Sequence, residues 1–218
     1  MLILVAFASL LTSLAAEQSF STNPLWVLDS SAMQCLQKAG YAKFVGNAWK
    51  DNGNYDAAGM DNMEKGNKAG IRSLDSTFFM CTDDTKCTYW GNQMEATINR
   101  LRTNGISIGT MWISAVYPQN WYANQTKNRD ALVSLVERAQ TNNQAIGIYA
   151  HPASYGQIFG EDYSFASSLP LWWVYYNNHA DLYTDFVPFN GWTRPAMHAF
   201  NYTANMCGKA TVIESSFY

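Results

Sequence analysis

The stretch Met94-Glu-Ala-Thr-Ile-Asn-Arg-Leu-Arg-Thr-Asn-Gly-Ile-Ser-Ile-Gly-Thr-Met-Trp-Ile113 carries the pattern on which the fold assignment depends. Its first apolar side chains, Met94, Ile98 and Leu101, recur at the spacing of one helix face. Gly105 follows as a helix stop, and the run Ile106–Ile113 has the length and composition of a buried strand. The stretch therefore predicts a helix, a glycine and a strand in direct succession.

The same succession recurs along the chain, and helices that alternate with apolar strands indicate a parallel sheet built from βαβ units. The strand candidates are Leu25–Leu28, Lys43–Asn47, Ile71–Phe78, Ile106–Ile113, Ala145–Ala150, Leu171–Tyr175, Ala196–Phe200 and Thr211–Ile213. Eight strands suit a closed, TIM-like (β/α) barrel in a single domain, with an irregular part over 152–189. An open doubly wound sheet is the alternative, although no Gly-x-Gly-x-x-Gly loop follows the first strand candidate.

Composition excludes several classes of protein. The 218 residues include 17 acidic and 14 basic side chains, 48% are hydrophobic and 14% are charged. So apolar a chain is not intrinsically disordered. The absence of a basic cluster argues against nucleic-acid binding, and no apolar run reaches the ~20 residues that span a bilayer.

The amino-terminal segment predicts secretion. Residues 1–16 contain no charged side chain, and the apolar stretch Leu2–Leu14 ends in Ala15 and Ala16. This is the pattern of a signal peptide, so residues 17–218 are expected to form the mature extracellular domain. A buried amino-terminal helix is the alternative.

The four cysteines fit an oxidising compartment. Cys81 and Cys87 flank a short polar loop and can bridge locally, which leaves Cys35 to pair with Cys207. No Cys-x-x-Cys pair is present, and the three histidines are scattered along the chain. We therefore expect neither a metal ion nor another cofactor.

The candidate site lies at the carboxyl ends of the strands, where (β/α) barrels carry their function. Asp29, Asp75 and Glu214 are predicted there, and because the first and eighth strands of a closed barrel are neighbours, Asp29 and Glu214 are expected to converge. Aromatic residues crowd the same ends: Trp112, Tyr117, Trp121, Tyr149, Trp172, Trp173 and Trp192. Carboxylates among aromatic rings predict a sugar-binding cleft. The alternative is that most of these rings form the core and that Asp29 and Asp75 are helix caps or surface groups.

Five short stretches give a more specific indication by their order and spacing. They are Gln34-Cys-Leu-Gln-Lys-Ala-Gly-Tyr41, Ala145-Ile-Gly-Ile-Tyr-Ala150, Ile158-Phe-Gly160, Ala166-Ser-Ser-Leu-Pro-Leu-Trp172 and Gly191-Trp-Thr-Arg-Pro-Ala-Met197. From about Leu25 to Tyr218 the chain resembles the short, secreted invertebrate branch of the glycoside hydrolase family 25 lysozymes. The resemblance implies a flattened (β/α) barrel and a role in cleaving bacterial peptidoglycan. It also matches Asp29, Asp75 and Tyr149 to family residues on the first, third and fifth strands.

The fourth strand departs from the family pattern. The family has Trp-x-Asp-x-Glu there, with the glutamate as proton donor, whereas this chain reads Trp112-Ile-Ser114-Ala-Val116. Glu214 also stands where the family usually has an aspartate near the carboxyl end. Because valine cannot deliver a proton, hydrolysis is expected to be weak or lost.

The resemblance implies a secreted lysozyme-like protein of antibacterial innate defence that recognises peptidoglycan or a related glycan. The residual catalytic candidates are Asp29 and Glu214, and the substrate-binding candidates are Asp75, Trp112, Tyr149 and Trp172. No nucleic-acid or membrane partner is expected, and the sequence does not determine the oligomeric state, for which a monomer is the expectation. Two alternatives are an active muramidase that uses Asp29 and Glu214, and a secreted regulatory or structural protein that binds a protein partner.

Overall fold

The computed structural model describes residues 16–22 and 27–217. The described residues form eight strands and five α-helices in the order β1 (Glu17–Thr22), α1 (Ser30–Lys38), β2 (Lys43–Trp49), α2 (Ala57–Lys68), β3 (Ser73–Phe78), α3 (Trp90–Thr103), β4 (Thr110–Ala115), α4 (Gln125–Thr141), β5 (Ala145–Ala150), α5 (Pro152–Phe159), β6 (Leu171–Val174), β7 (Met197–Met206) and β8 (Lys209–Phe217). The strands close into a barrel in sequence order, which confirms the predicted fold class. In this part of the chain, no helix is both long and apolar enough to cross a membrane.

The direction of the strands defines one functional end of the barrel. Strands β1 to β7 run parallel to their neighbours, whereas β8 runs antiparallel to both β7 and β1. The carboxyl ends of β1 to β6 therefore meet at one end of the barrel, which we call the barrel mouth. The hairpin formed by β7 and β8 continues beyond it, because Val174 at the end of β6 already pairs with Ala199 near the start of β7.

The helix, glycine and strand succession of residues 94–113 is confirmed. Helix α3 is followed by Gly105 at φ +69°, a left-handed conformation that glycine adopts without steric cost, and the amide of Ile106 returns to the carbonyl of Leu101 at 2.9 Å. Strand β4 begins at Thr110, because the preceding residues form a connection in which Gly109 donates to the carbonyl of Leu74 at 2.8 Å.

The first strand differs from the prediction. Residues 25 and 26 of the expected strand Leu25–Leu28 lie outside the described residues, and Val27 and Leu28 are not in a strand. The strand that pairs with β2 and β8 is β1, a more polar segment in which Phe20 is fully buried. The predicted signal peptide, residues 1–16, lies outside the described residues except for Ala16 and stays a prediction.

The apolar side chains form an inner and an outer core. The inner core fills the barrel with Val45, Trp112, Tyr149, Trp172, Val174, Met197, Ala199 and Phe217. The outer core lies between the strands and the surrounding helices and includes Phe20, Phe44, Leu74, Met111 and Ile113. Because side chains alternate along a strand, these two sets show which positions face the barrel interior.

Two disulfide bonds join the four cysteines as predicted. Cys35 on α1 bonds to Cys207 at the tip of the β7–β8 hairpin, with the Cα atoms 5.9 Å apart and a separation of 172 positions in the sequence. Cys81 bonds to Cys87 across the loop between β3 and α3. The longer bridge ties the last part of the barrel to the first helix.

Candidate functional site

The end of β4 presents Ser114 and Val116 to the barrel interior. Ser114 follows the inward-facing Trp112 by two residues and pairs with Tyr149 on β5. It is 3% exposed, and its Oγ has no hydrogen-bond partner among the described residues. Val116 is half-buried and packs against the inner core. A buried hydroxyl with unused hydrogen-bonding capacity here is suited to a polar ligand.

Six inward-facing positions surround the mouth, one near the carboxyl end of each of the strands β1 to β6. They are Ser21, Asn47, Thr77, Ser114, Tyr149 and Val174. The hydroxyl of Thr77 donates to Asn47 Oδ1 at 2.9 Å, which links β2 and β3. None of these six described positions is acidic, so the ring offers hydroxyl and amide groups to a ligand but no proton donor of carboxyl type.

The carboxylate hydrogen-bonded to this ring belongs to Asp56 and has a structural role. Its Oδ2 accepts from Asn47 Nδ2 at 2.9 Å, and its Oδ1 accepts from the amide of Gly59 at 3.2 Å as the N-cap of α2. Gly59 permits this contact, since a Cβ there would lie 2.0 Å from the carbonyl oxygen of Asn47. Both carboxylate oxygens therefore serve to attach α2 to β2.

Aromatic side chains cover the same end of the barrel. Burial raises the pKa of Tyr176 to about 12 and that of Tyr149 well above its ordinary value. The rings of Tyr176 and Tyr202 lie 5.2 Å apart, and Tyr117 stacks on Phe79 at 6.1 Å. We call Tyr117, Tyr149, Tyr176 and Tyr202 the mouth tyrosines. All except Tyr149 are more than 40% exposed.

His151 is an ionisable side chain next to this site. It immediately follows β5 and lies two residues beyond the inward-facing Tyr149. Because Ala115 pairs with Ala150, His151 is the neighbour of Val116. Its Nδ1 accepts from the amide of Ala153 at 3.2 Å and caps α5. Burial lowers the pKa of His151, and the cap requires an unprotonated Nδ1, so the neutral ring carries its proton on Nε2.

We expect a pH-dependent contribution of His151 to stability. Because its pKa is lower in the folded than in the unfolded chain, the stabilisation is complete above the unfolded value near ~6.5 and is lost as the pH falls from that value through the lower pKa of the folded state. His151→Asn keeps a capping side chain without the titration. Denaturant unfolding of both proteins should show the wild type losing stability relative to the variant between pH 7.5 and pH 5. An unchanged difference would contradict this assignment.

Asp75 is placed by the structure inside the barrel but not at the mouth. Its carboxylate is 2.8 Å from the ammonium of Lys43, the first residue of β2, and therefore points toward the opposite end of the barrel. It also accepts from the amide of Thr110 at 3.0 Å and from Trp112 Nε1 at 3.0 Å. Asp75 is 1% exposed and accepts from all three of these donors, so it supports the barrel, and its predicted contact with substrate stays a prediction.

Most of the predicted cleft aromatics are core side chains. Trp112 and Trp172 belong to the inner core, where their rings meet edge to face at 5.8 Å and Trp172 Nε1 donates to Ser215 Oγ at 3.2 Å. Both rings are buried, and their predicted contact with a sugar stays a prediction. Trp121, Trp173 and Trp192 are also buried. Tyr117 and Tyr149 are the members of the predicted set that lie at the mouth, and their contact with a ligand stays a prediction.

The structure does not bring Asp29 and Glu214 together as a catalytic pair. Asp29 is exposed and caps α1, with its Oδ1 accepting from the amide of Ala32 at 2.8 Å. Glu214 is opposite Phe20 in the β1–β8 ladder and shares its outward face, where Tyr41 and Asn201 donate to its carboxylate. The expectation of convergence considered strand neighbours but not the face on which each side chain lies.

Sequence reasoning missed Asn47, Thr77, His151, Tyr176 and Tyr202. The first three could be found from alternation, since each lies two residues beyond an inward-facing side chain of its strand. Tyr176 follows β6, and Tyr202 lies on the part of β7 beyond the mouth, where the sequence has no regular pattern. The assembled site has the groups to bind a neutral polar ligand and to stack on its apolar faces.

Comparison with solved structures identifies the class of fold. The barrel superposes on a muramidase from Trichobolus zukalii with a TM-score of 0.70 and 16% identity, covering 93% of this chain and 94% of that one. It also matches the modular autolysin LytC from Streptococcus pneumoniae in complex with a synthetic peptidoglycan ligand, with a TM-score of 0.69 and 10% identity over 93% of this chain and 47% of that one. The fold is therefore the α/β barrel of muramidases.

Sequence comparison then identifies the family. Residues 15–200 match the family model described as lysozyme-like protein 1. The chain is 30% identical to lysozyme-like protein 5 of Caenorhabditis elegans over 83% of both chains. It is 28% identical to probable GH family 25 lysozyme 2 of Dictyostelium discoideum, over 94% of this chain and 93% of the relative. The chain belongs to the lysozyme-like proteins of glycoside hydrolase family 25.

Proposed function

We propose that this protein is a secreted, antibacterial lysozyme-like protein that binds peptidoglycan at the barrel mouth and hydrolyses it weakly or not at all. One observation carries the proposal: the described inward-facing positions of the mouth combine hydroxyls, an amide and an aromatic ring, but none is acidic. Such a lining binds a neutral sugar and lacks the groups that cleave it.

Two kinds of contact support glycan binding. The exposed faces of Tyr176 and Tyr202 can cover the apolar faces of sugar rings, in the manner of other aromatic binding residues. Ser114 Oγ, buried without a partner among the described residues, can exchange a hydrogen bond with a sugar hydroxyl. The peptidoglycan ligand of the similar autolysin supports the same class of ligand here.

The loss of hydrolysis follows from the chemistry of the mouth. Glycoside hydrolysis generally uses two carboxyl groups on either side of the scissile bond. Ser114 and Val116 occupy the family's positions for them, Asp56 is used as a helix cap, and Glu214 faces away from the interior. These positions give no support to the alternative of a muramidase that uses Asp29 and Glu214.

Secretion and defence rest on separate support. Two disulfides are typical of oxidising compartments outside the cytosol, and the apolar residues 2–14 resemble a secretory signal. The antibacterial role is carried over from the resemblance to lysozymes and rests on analogy of fold and family.

Sedimentation with insoluble peptidoglycan tests the proposal. We expect the wild type to co-sediment, and we expect Tyr176→Ala combined with Tyr202→Ala to weaken binding by at least about five-fold, since truncated aromatic anchors typically cost more than about 1 kcal/mol. Tyr89→Ala is the matched control, because Tyr89 is an exposed tyrosine that packs on Trp90 at the start of α3 and is not one of the mouth tyrosines.

The outcomes separate the candidate functions. Absence of wild-type binding would contradict glycan recognition and favour the alternative of a protein that binds a protein partner. Equal weakening by the mouth variants and by Tyr89→Ala would show that the mouth is not the binding site. Release of new reducing ends by the wild type would contradict the loss of hydrolysis.

A further inference from the structure

A second cleft lies at the opposite end of the barrel from the mouth. It has a volume of about 480 Å³ and is lined by the segment 167–171, by Leu182 and Tyr183, and by the segment 191–196. Because β6 begins at Leu171 and β7 at Met197, the cleft opens at the amino ends of these strands. Its size is within the ~300–1,000 Å³ that small-ligand sites occupy.

The walls of this cleft are fixed to each other. Buried Trp192 donates from Nε1 to the carbonyl of Leu169 at 2.9 Å, and the amide of Ala196 donates to the carbonyl of Leu171 at 2.8 Å. Gly191, at φ +91°, approaches Ser167 so closely that a Cβ there would lie 2.8 Å from the Ser167 side chain. A ligand would therefore meet a preformed cleft and would not have to order its walls.

The charge of the cleft lining is positive. Arg194 is the charged side chain among its described lining residues, and the ion pairs of the described residues do not include it. The nearby carboxylate of Asp181 is turned away onto the amides of Tyr183 and Thr184, each at 2.7 Å. The guanidinium is thus available to an external anion, which it can bind through two parallel hydrogen bonds.

The remaining lining indicates what the anion is attached to. Leu169, Pro170 and Pro195 give apolar surface, while Ser167, Ser168 and Thr193 give hydroxyls. A lining that alternates apolar surface with hydrogen-bonding groups suits an extended peptide better than a compact inorganic ion, for which one arginine on an otherwise partly apolar wall is a poor match.

We propose that this cleft, centred on Arg194, binds the free carboxylate end of a short peptide. The carboxylate pairs with the Arg194 guanidinium, the hydroxyls of Ser168 and Thr193 bond to the peptide backbone, and the proline and leucine side chains contact its small apolar side chains. This site is independent of glycan binding at the mouth, so each can be present without the other.

The probes are acetyl-alanyl-alanine as the free acid, the same peptide as its carboxyl-terminal amide, and inorganic phosphate. Binding to the full mature chain is measured by calorimetry and by the emission of tryptophan, since Trp192 lines the cleft. The free acid is expected to bind at least about ten-fold more tightly than the amide, because a hydrogen-bonded charge is exchanged for a neutral group. Phosphate is expected to bind more weakly than the free acid.

Arg194→Gln is expected to abolish the preference for the free acid, and Arg194→Lys to retain part of it as a single point charge. Arg102→Gln is the matched control, with the same change in net charge at an exposed position on α3. Equal binding of acid and amide, unchanged binding in Arg194→Gln, or no binding at millimolar peptide would overturn the proposal. Phosphate binding as tight as that of the free acid would overturn the assignment to a peptide.

Discussion

The double substitution Ser114→Asp, Val116→Glu is expected to raise the release of reducing ends from purified peptidoglycan by at least about 10²-fold over the wild type. A positioned acid or base typically contributes ~10²–10⁴-fold to a rate. Both positions face the interior at the end of β4, beside the mouth tyrosines. Two residues along a strand span about 6.7 Å, which is within the ~5–9.5 Å that separate the carboxyl groups of glycosidases.

The control for this experiment is Ser114→Asn, Val116→Gln. Asparagine and glutamine have nearly the same shape as aspartate and glutamate, but their amides cannot donate a proton to the scissile oxygen. We expect this variant to remain as inactive as the wild type. Sedimentation with peptidoglycan and circular dichroism show whether each variant still binds and folds. Two results would contradict the view that Ser114 and Val116 account for the loss of hydrolysis. One is an Asp/Glu variant that folds and binds but releases no more reducing ends than the wild type. The other is an equal increase in the amide variant.

Asp75→Ala is expected to lower the free energy of unfolding by about 3–5 kcal/mol, which is the usual cost of removing one partner of a buried ion pair. The ammonium of Lys43, 16% exposed in its side chain, would remain in the barrel without its partner. The amide of Thr110 and the indole of Trp112 would also lose their acceptor. Denaturant unfolding monitored by tryptophan fluorescence measures this loss.

The matched control for that substitution is Asp61→Ala, which breaks a partly exposed pair with Lys65 one turn along α2 and is expected to cost less than about 1 kcal/mol. Combining Asp75→Ala with Lys43→Met should recover part of the stability, because the unpaired charge is then gone. Equal effects of Asp75→Ala and Asp61→Ala would show that the interior pair does not support the barrel.

The strand ladder explains how much of this architecture the sequence could predict. Strands β4 and β5 are buried on both faces, so their apolar runs were found together with the glycines that end the preceding helices. Strand β1 has few apolar residues, because its interior-facing side chains include Ser19 and Ser21. Its strand pattern was therefore less evident than that of the apolar run that follows it. The closed barrel was nevertheless predictable, since the other seven strands carry the pattern.

The candidate site was less predictable because it depends on the face of each strand and on contacts across the barrel. Glu214 is adjacent to β1, as expected, but its antiparallel pairing with Phe20 turns it outward. Tyr176 and Tyr202 meet through a loop and an extended hairpin, and no local spacing relates two residues 26 positions apart. The departures from the family motif at Ser114 and Val116 were evident from the sequence, because the residues of that motif are consecutive in the chain.

The bridge between Cys35 and Cys207 has a consequence for proteolysis of the chain. It encloses strands β2 to β7 in one covalent ring, from the first helix to the tip of the last hairpin. A protease that cuts any surface loop within that ring leaves both fragments joined, and because the barrel strands pair around the full circumference, the nicked molecule keeps its packing partners. The connectivity of the chain therefore favours survival of the fold after a single cut.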